Sequence, residues 1–157
     1  MRAYTRKQFT PLVALAALGY AVAMLVAGPL LHLLYSERFD GARAMLGWTI
    51  VGEFGKVVAI TWSLGALRTG GVRLWVAIGV SFAGGMLISY VIALRAGAGL
   101  MALPYGYAGA GLLSVAWTAL LMTRRGVSLD RRAVALTVLA GLALAALAAS
   151  TATPHHG

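Results

Sequence analysis

The chain has no cysteine and few acidic residues, and both shortages exclude classes of function. Its 157 residues include 13 Lys+Arg but only 4 Asp+Glu and 3 His. Without cysteine there is no disulfide scaffold, no thiolate metal site and no cysteine nucleophile. The Gly-x-Ser-x-Gly elbow, the His-Glu-x-x-His pair and the Walker-type phosphate loop are missing too. We therefore predict a protein that is not an enzyme and that uses no cofactor or metal ion.

Charged residues of any kind are scarce, at 11%, while 61% of the chain is hydrophobic. A soluble domain is typically about 25% charged and about 45–50% apolar. This composition predicts an all-α, polytopic membrane protein. The net charge of +9 does not indicate a nucleic-acid partner, because the basic residues form short clusters between apolar runs and no nucleic-acid-binding module is present. Such clusters are typical of residues that orient a membrane protein.

Five apolar runs approach or exceed the 20 or so residues that a bilayer-spanning helix needs. They predict TM1 at 11–35, TM2 at 45–67, TM3 at 74–94, TM4 at 104–122 and TM5 at 133–150. The bundle then occupies residues 11–150, between an N-terminal segment at 1–10 and a disordered tail at 151–157. TM1 is too long for the apolar core of a secretory signal, which is about 7–15 residues.

The connections carry turn signals. Gly70-Gly71 predicts a turn in the TM2–TM3 link at 68–73. Residues 95–107 are glycine-rich and contain Pro104, which indicates a loop or re-entrant shoulder. The clearly apolar part of TM4, residues 108–122, is short, and TM4 reaches a full span only if residues 101–107 contribute.

The distribution of Lys and Arg predicts the orientation. The N-terminus, the second loop and the fourth loop together carry nine of them, whereas the first loop, the third loop and the C-terminus carry three. The positive-inside rule therefore predicts a cytoplasmic N-terminus and an external C-terminus. Aromatic residues that mark the predicted interfaces are Tyr35, Trp48, Trp75, Tyr90, Tyr105 and Tyr107.

Glu53 and Lys56 lie near the middle of TM2. Each ionisable group at the centre of a span costs roughly 2.5–3.5 kcal/mol on an insertion scale, so the pair should face protein or water. Their i, i+3 spacing places them within reach of each other on one helix face. Two interpretations stay open: a structural ion pair, or a cavity-lining pair in which Lys56 meets an anionic substrate and Glu53 a coupling ion. Two interpretations also apply to the arginines near the ends of TM2 and TM3: they form a basic path that leads a ligand toward the pair, or they only orient the spans. These arginines are Arg43, Arg68 and Arg73.

Several motifs in order resemble the late part of bacterial polysaccharide flippases, the Wzx-like translocases of the MATE-like (MOP) exporter superfamily. They are Leu34-Tyr35-Ser36-Glu37-Arg38-Phe39, Leu46-Gly47-Trp48, Gly52-Glu53-Phe54-Gly55-Lys56, Trp62 through Leu67, and Tyr107-Ala-Gly-Ala-Gly-Leu-Leu-Ser. The similarity runs from Thr10 to Thr123. One departure is that Ser36-Glu37-Arg38 lacks the proline of the family's loop.

The resemblance implies a protein of the bacterial inner membrane. Such flippases have about twelve spans in two bundles and move undecaprenyl-diphosphate-linked oligosaccharide, the repeat unit of O-antigen or another surface polysaccharide, by alternating access. By this resemblance Glu53 and Lys56 match the acidic and basic positions of the helix motif, and Trp48 matches the aromatic before them. Five spans cannot enclose a two-bundle cavity. The chain is therefore expected to be a fragment or subunit, with membrane lipids, the lipid-linked oligosaccharide and the N-terminal part or another membrane subunit as partners.

Two other hypotheses remain. The first is a small, non-transporting membrane protein that acts as a helical assembly partner of a larger complex. The second is a membrane-embedded enzyme of a lipid pathway, which the missing acidic and histidine clusters disfavour.

Overall fold

The computed structural model describes residues 2–34, 40–124 and 129–152, and nearly all of them are helical. The helices are α1 (Arg2–Leu34), α2 (Asp40–Arg95), α3 (Ala102–Arg124) and α4 (Arg131–Ala152), with a 3₁₀ turn at Gly99–Met101. Within those three ranges there is no strand, and five segments are long and apolar enough to cross a membrane. The structure therefore confirms the prediction of an all-α chain with five helical segments of membrane-spanning length.

The second and third predicted spans belong to one helix. α2 is 56 residues long and helical throughout, so residues 68–73 are helical and do not form the non-helical turn that was predicted there. The helix nevertheless folds back on itself. A straight helix would separate residues 56 and 82 by about 39 Å, yet the Lys56 ammonium lies 5.8 Å from the centre of the Phe82 ring.

We call the two halves of α2 the first limb (Ala42–Leu64) and the second limb (Trp75–Arg95). The reversal falls between them, in the region that contains Gly70-Gly71. No proline interrupts that region, and proline is the residue that breaks a helical hydrogen-bond ladder most strongly. Glycine instead allows the backbone to bend while the helix continues.

A short turn joins α2 to α3. Gly97 and Gly99 have φ angles of 81° and 56°, in a region that side chains with a Cβ rarely adopt. α3 begins at Ala102, so the prediction of a loop through 107 is wrong for residues 102–107. Pro104 lies in the first turn of α3, where its missing N–H costs nothing. α3 therefore has 23 residues and exceeds the predicted TM4 by two residues at each end.

The outer helices extend slightly beyond the predicted spans. α1 includes most of the predicted N-terminal segment, and α4 continues to Ala152. Several predictions concern residues outside the described ranges: Tyr35 and the motif residues 36–39, residues 125–128 of the basic loop, and the tail from 153 onward.

The first limb is the centre of the bundle. Half of its most apolar window is buried inside the protein, against 11% for α1 and 11% for the second limb. One apolar cluster joins it to α1, α3 and α4 through Val13, Met24, Ile50, Val51, Phe54, Val58, Trp62, Ala108, Leu144 and Ala148. α3 packs on both limbs, because Gly55 faces Gly111 and Gly106 faces Tyr90. The charged pair predicted from the sequence therefore lies in the most enclosed span.

Candidate functional site

Glu53 and Lys56 lie one helical turn apart at the middle of the first limb. The Lys56 Nζ donates a hydrogen bond to Glu53 Oε1 at 3.3 Å, so the contact predicted from the spacing is present. The Lys56 and Glu53 side chains are 39% and 35% exposed. The pair is therefore partly accessible rather than sealed inside the bundle.

Tyr107 of α3 completes this site. The Lys56 Nζ donates to the Tyr107 hydroxyl oxygen at 3.1 Å, and the Tyr107 hydroxyl donates to Glu53 Oε1. We call Glu53, Lys56 and Tyr107 the charge cluster. Each member is bonded to the other two, which is how polar groups persist in an apolar setting.

Sequence reasoning missed the role of Tyr107, which it placed at a membrane interface. Because α3 begins earlier than predicted, Tyr107 lies inside the bundle at the level of Gly52. A usable signal was present in the sequence. A tyrosine on an apolar helix needs a partner for its hydroxyl, and the small residues after Tyr107 allow close approach to a helix that could supply one.

Glycines bring α3 close enough for this contact. A Cβ placed on Gly52 would lie 2.7 Å from the Tyr107 carbonyl oxygen, and one on Gly55 would lie 2.6 Å from the carbonyl carbon of Gly111. No side chain fits in either gap. Glycine at these positions lets the two backbones touch, as in closely packed membrane helices, and so places the Tyr107 hydroxyl beside the ion pair.

The second limb contributes Phe82. The Lys56 Nζ is 5.8 Å from the ring centres of both Phe82 and Tyr107, a distance at which the ring quadrupole attracts a cation. The two rings meet edge to face, with centres 5.6 Å apart at 84°. Both limbs and α3 therefore converge on the Lys56 ammonium.

The cluster is neutral as a whole, because one carboxylate faces one ammonium. An ammonium has three hydrogen-bond donors, and Glu53 and Tyr107 use two of them. Among the described residues no protein group takes the third. Lys56 can therefore bind one anionic oxygen without first releasing its two protein partners.

The structure places the other two predicted site residues away from the cluster. Trp48 lies two turns before Lys56 and packs edge to face on Tyr105, with ring centres 5.1 Å apart. Its buried indole N–H has no hydrogen-bond partner among the described residues. Arg43 packs against Gly28 and lines a cavity of about 110 Å³ between α1, α2 and α4, about 20 Å along the limb from Lys56.

The hydroxyls near the pair are satisfied within their own helix. Thr49 donates to the Met45 carbonyl at 2.8 Å, and Ser63 donates to the Ile60 carbonyl at 2.7 Å. Such back-bonding lets a hydroxyl sit in an apolar helix without an external partner. Neither hydroxyl therefore bonds to Glu53, Lys56 or Tyr107.

No family model matches this chain, and no curated protein or solved structure matches it either. The similarity to polysaccharide flippases therefore rests on the motif residues themselves and stays a prediction.

Changing Tyr107 to Phe should measure what its hydroxyl contributes. The change keeps the ring contact with Phe82 and removes two hydrogen bonds, so we expect the free energy of unfolding to fall by about 0.5–2 kcal/mol. Unfolding in detergent micelles provides the measurement. Tyr105→Phe is the matched control, because Tyr105 packs on Trp48 outside the cluster. Equal losses in the two variants would show that the hydroxyl of Tyr107 has no special role.

Proposed function

We propose that this chain is a fragment or subunit of an inner-membrane flippase that translocates undecaprenyl-diphosphate-linked oligosaccharide, with its N-terminus in the cytoplasm. The observation that supports this most is the charge cluster. It holds a cation at mid-span with one hydrogen-bond donor available, which is what an anionic headgroup would need when it crosses an apolar region. The motif resemblance supplies the identity of the substrate.

In this proposal the three residues have separate roles. Lys56 contacts the diphosphate with its free donor, and Tyr107 holds the lysine toward the open side of the bundle. When Lys56 turns fully to the substrate, Glu53 keeps the hydrogen bond from Tyr107 and so is not left without a partner. Glu53 then takes up a proton or Na⁺ as the coupling ion. α3 can transmit this exchange, because it packs on both limbs of α2.

The outer surfaces of α1 and the second limb favour a larger assembly. Only 11% of the most apolar window of each is buried within the described chain. The rest of a two-bundle transporter would cover part of this surface. The same observation favours the second candidate, a helical assembly partner that does not transport. In that case Glu53 and Lys56 would hold the cluster together and bind no substrate.

Deletion of the gene tests the transport hypothesis. We expect surface polysaccharide to disappear, lipid-linked oligosaccharide to accumulate, and the gene in trans to restore both. Unchanged surface polysaccharide would contradict the proposal. The DNA upstream of Met1 separates the two candidates: an open frame that encodes about seven more spans supports the flippase, whereas a separate promoter supports the assembly partner.

A further inference from the structure

The two limbs of α2 and the adjacent face of α3 enclose a cleft of about 360 Å³. Its walls include Ile60, Ser63, Trp75, Val76, Gly79 and Val80, and it ends beside Phe82 and Lys56. The volume is at the lower end of the range for ligand-binding pockets, about 300–1,000 Å³. We call this space the interlimb cleft.

The walls of the cleft suit a hydrocarbon. The two hydroxyls in the lining donate to carbonyls of their own helices, Ser63 to Ile60 and Ser114 to Gly111 at 2.8 Å. The one charge, Lys56, is at the deep end and is neutralised by Glu53. An occupant of the rest of the cleft therefore gains apolar contact and finds no hydrogen-bond partner.

The cleft is shorter than one leaflet of the hydrocarbon core but covers most of its thickness. Trp75 and Phe82 are separated by a rise of about 10 Å along the second limb, while one leaflet of the hydrocarbon core is about 15 Å thick. Trp75 begins the span and is 49% exposed, as tryptophans at a membrane interface are. The cleft thus runs from the interface toward mid-bilayer.

A cation lies at the shallow end of the cleft. Arg73 is exposed and lies one turn before Val76, so it stands at the edge of the face that lines the cleft, although it is not itself one of the lining residues. In the described part of the chain it forms no ion pair, since the one pair found there joins Lys56 and Glu53. An anionic headgroup at this depth would therefore meet an arginine that no described residue neutralises.

We propose that the interlimb cleft binds one acyl chain of an anionic phospholipid, whose phosphate contacts Arg73. The apolar walls suit the acyl chain, and the length of about 10 Å holds most of the part of that chain that lies in one leaflet. The arginine near the mouth suits the anionic headgroup. Binding of this lipid is separate from transport and persists in protein that does not transport.

Gly79 offers a direct test, because a Cβ added there meets no atom within 4 Å. Gly79→Leu should fill the cleft without distorting the helix. Gly84→Leu is the matched control: it lies on the same limb, also meets nothing within 4 Å, and is not part of the lining. Each purified chain is titrated with phosphatidylglycerol in detergent, and the one-to-one adduct is measured by native mass spectrometry.

We expect the wild type and Gly84→Leu to retain the lipid, and Gly79→Leu to bind it about tenfold more weakly, as when two methylene groups are no longer buried. Arg73→Gln should lower the affinity for phosphatidylglycerol to that for phosphatidylcholine. Val80→Phe replaces Gly79→Leu if the latter fails to fold. Equal retention by the glycine variants would overturn the proposal. If undecaprenyl phosphate displaced phosphatidylglycerol at a lower concentration than phosphatidylglycerol itself requires, the occupant would be the polyprenyl lipid and the proposal would be overturned. A dimer that is lost only in Gly79→Leu would also overturn it, because the occupant would then be a second copy of the chain.

Discussion

Replacing Lys56 with Met should reduce both the amount of this protein in the membrane and the export of surface polysaccharide. The double variant Glu53→Gln/Lys56→Met should restore the amount of protein but not the export. The single change leaves the Glu53 carboxylate without its cation at mid-span, at a cost of roughly 2.5–3.5 kcal/mol. The hydrogen bond from Tyr107 offsets a part of this cost. The double change removes both charges, and the amide oxygen of the new glutamine would still accept the hydrogen bond from Tyr107.

The two variants separate a structural pair from a functional one. Replacing an ion pair with neutral groups of similar volume is often harmless to stability, so a purely structural pair predicts normal export in the double variant. A pair that binds substrate predicts protein at wild-type abundance with export lost, since no cation remains to meet the anionic group. Immunoblots of the membrane fraction and assays of surface polysaccharide give the two readouts.

The control for these variants is Arg95→Gln. It removes one positive charge from the exposed end of the second limb, away from the charge cluster, so we expect abundance and export close to wild type. Full export by the double variant at normal abundance would rule out the role assigned to Lys56 and would favour the assembly partner.

Gly55→Ala should destabilise the protein strongly, although the change adds only a methyl group. A methyl group at Gly55 would lie 2.6 Å from the Gly111 carbonyl carbon, and backbone atoms cannot move aside as a flexible side chain can. α3 would have to shift away from the first limb. Overpacking of this kind costs about 1–3 kcal/mol, and we expect the upper end because the shift would also pull Tyr107 away from Glu53 and Lys56.

Gly79→Ala should instead raise the free energy of unfolding. Nothing lies within 4 Å of the added methyl group, and alanine is favoured over glycine in a helix interior by about 0.5–1 kcal/mol. Unfolding in micelles measures both variants. If Gly55→Ala proves as stable as Gly79→Ala, the first limb and α3 do not pack as closely as described.

The spans and the ion pair were predictable because they depend on local sequence. A run of about 20 apolar residues forms a membrane-length helix in many surroundings, and α1, both limbs, α3 and α4 each carry one. The contact between Glu53 and Lys56 needs only the i, i+3 geometry of a single helix. The non-helical turn expected between TM2 and TM3 did not form, since residues 68–73 continue the helix and glycine, unlike proline, leaves the hydrogen-bond ladder intact.

Tyr107 was not predictable in the same way. Its hydroxyl reaches Glu53 and Lys56 across more than 50 residues of sequence, and that contact depends on where α3 begins. The interlimb cleft is also invisible in the sequence, since it exists only because α2 doubles back and α3 lies along both limbs. Arg43 differs, because helical rise alone places it about 20 Å from Lys56 along the same limb.

Sequence alone therefore settled the all-helical, membrane-length character of the chain and the pairing of two opposite charges one turn apart, since periodicity and composition control both. Tertiary packing decided which groups surround that pair, because glycine-to-glycine contacts set the separation and register of α3 against α2. Those contacts bring a tyrosine from one helix and a phenylalanine from the other limb to the same ammonium group.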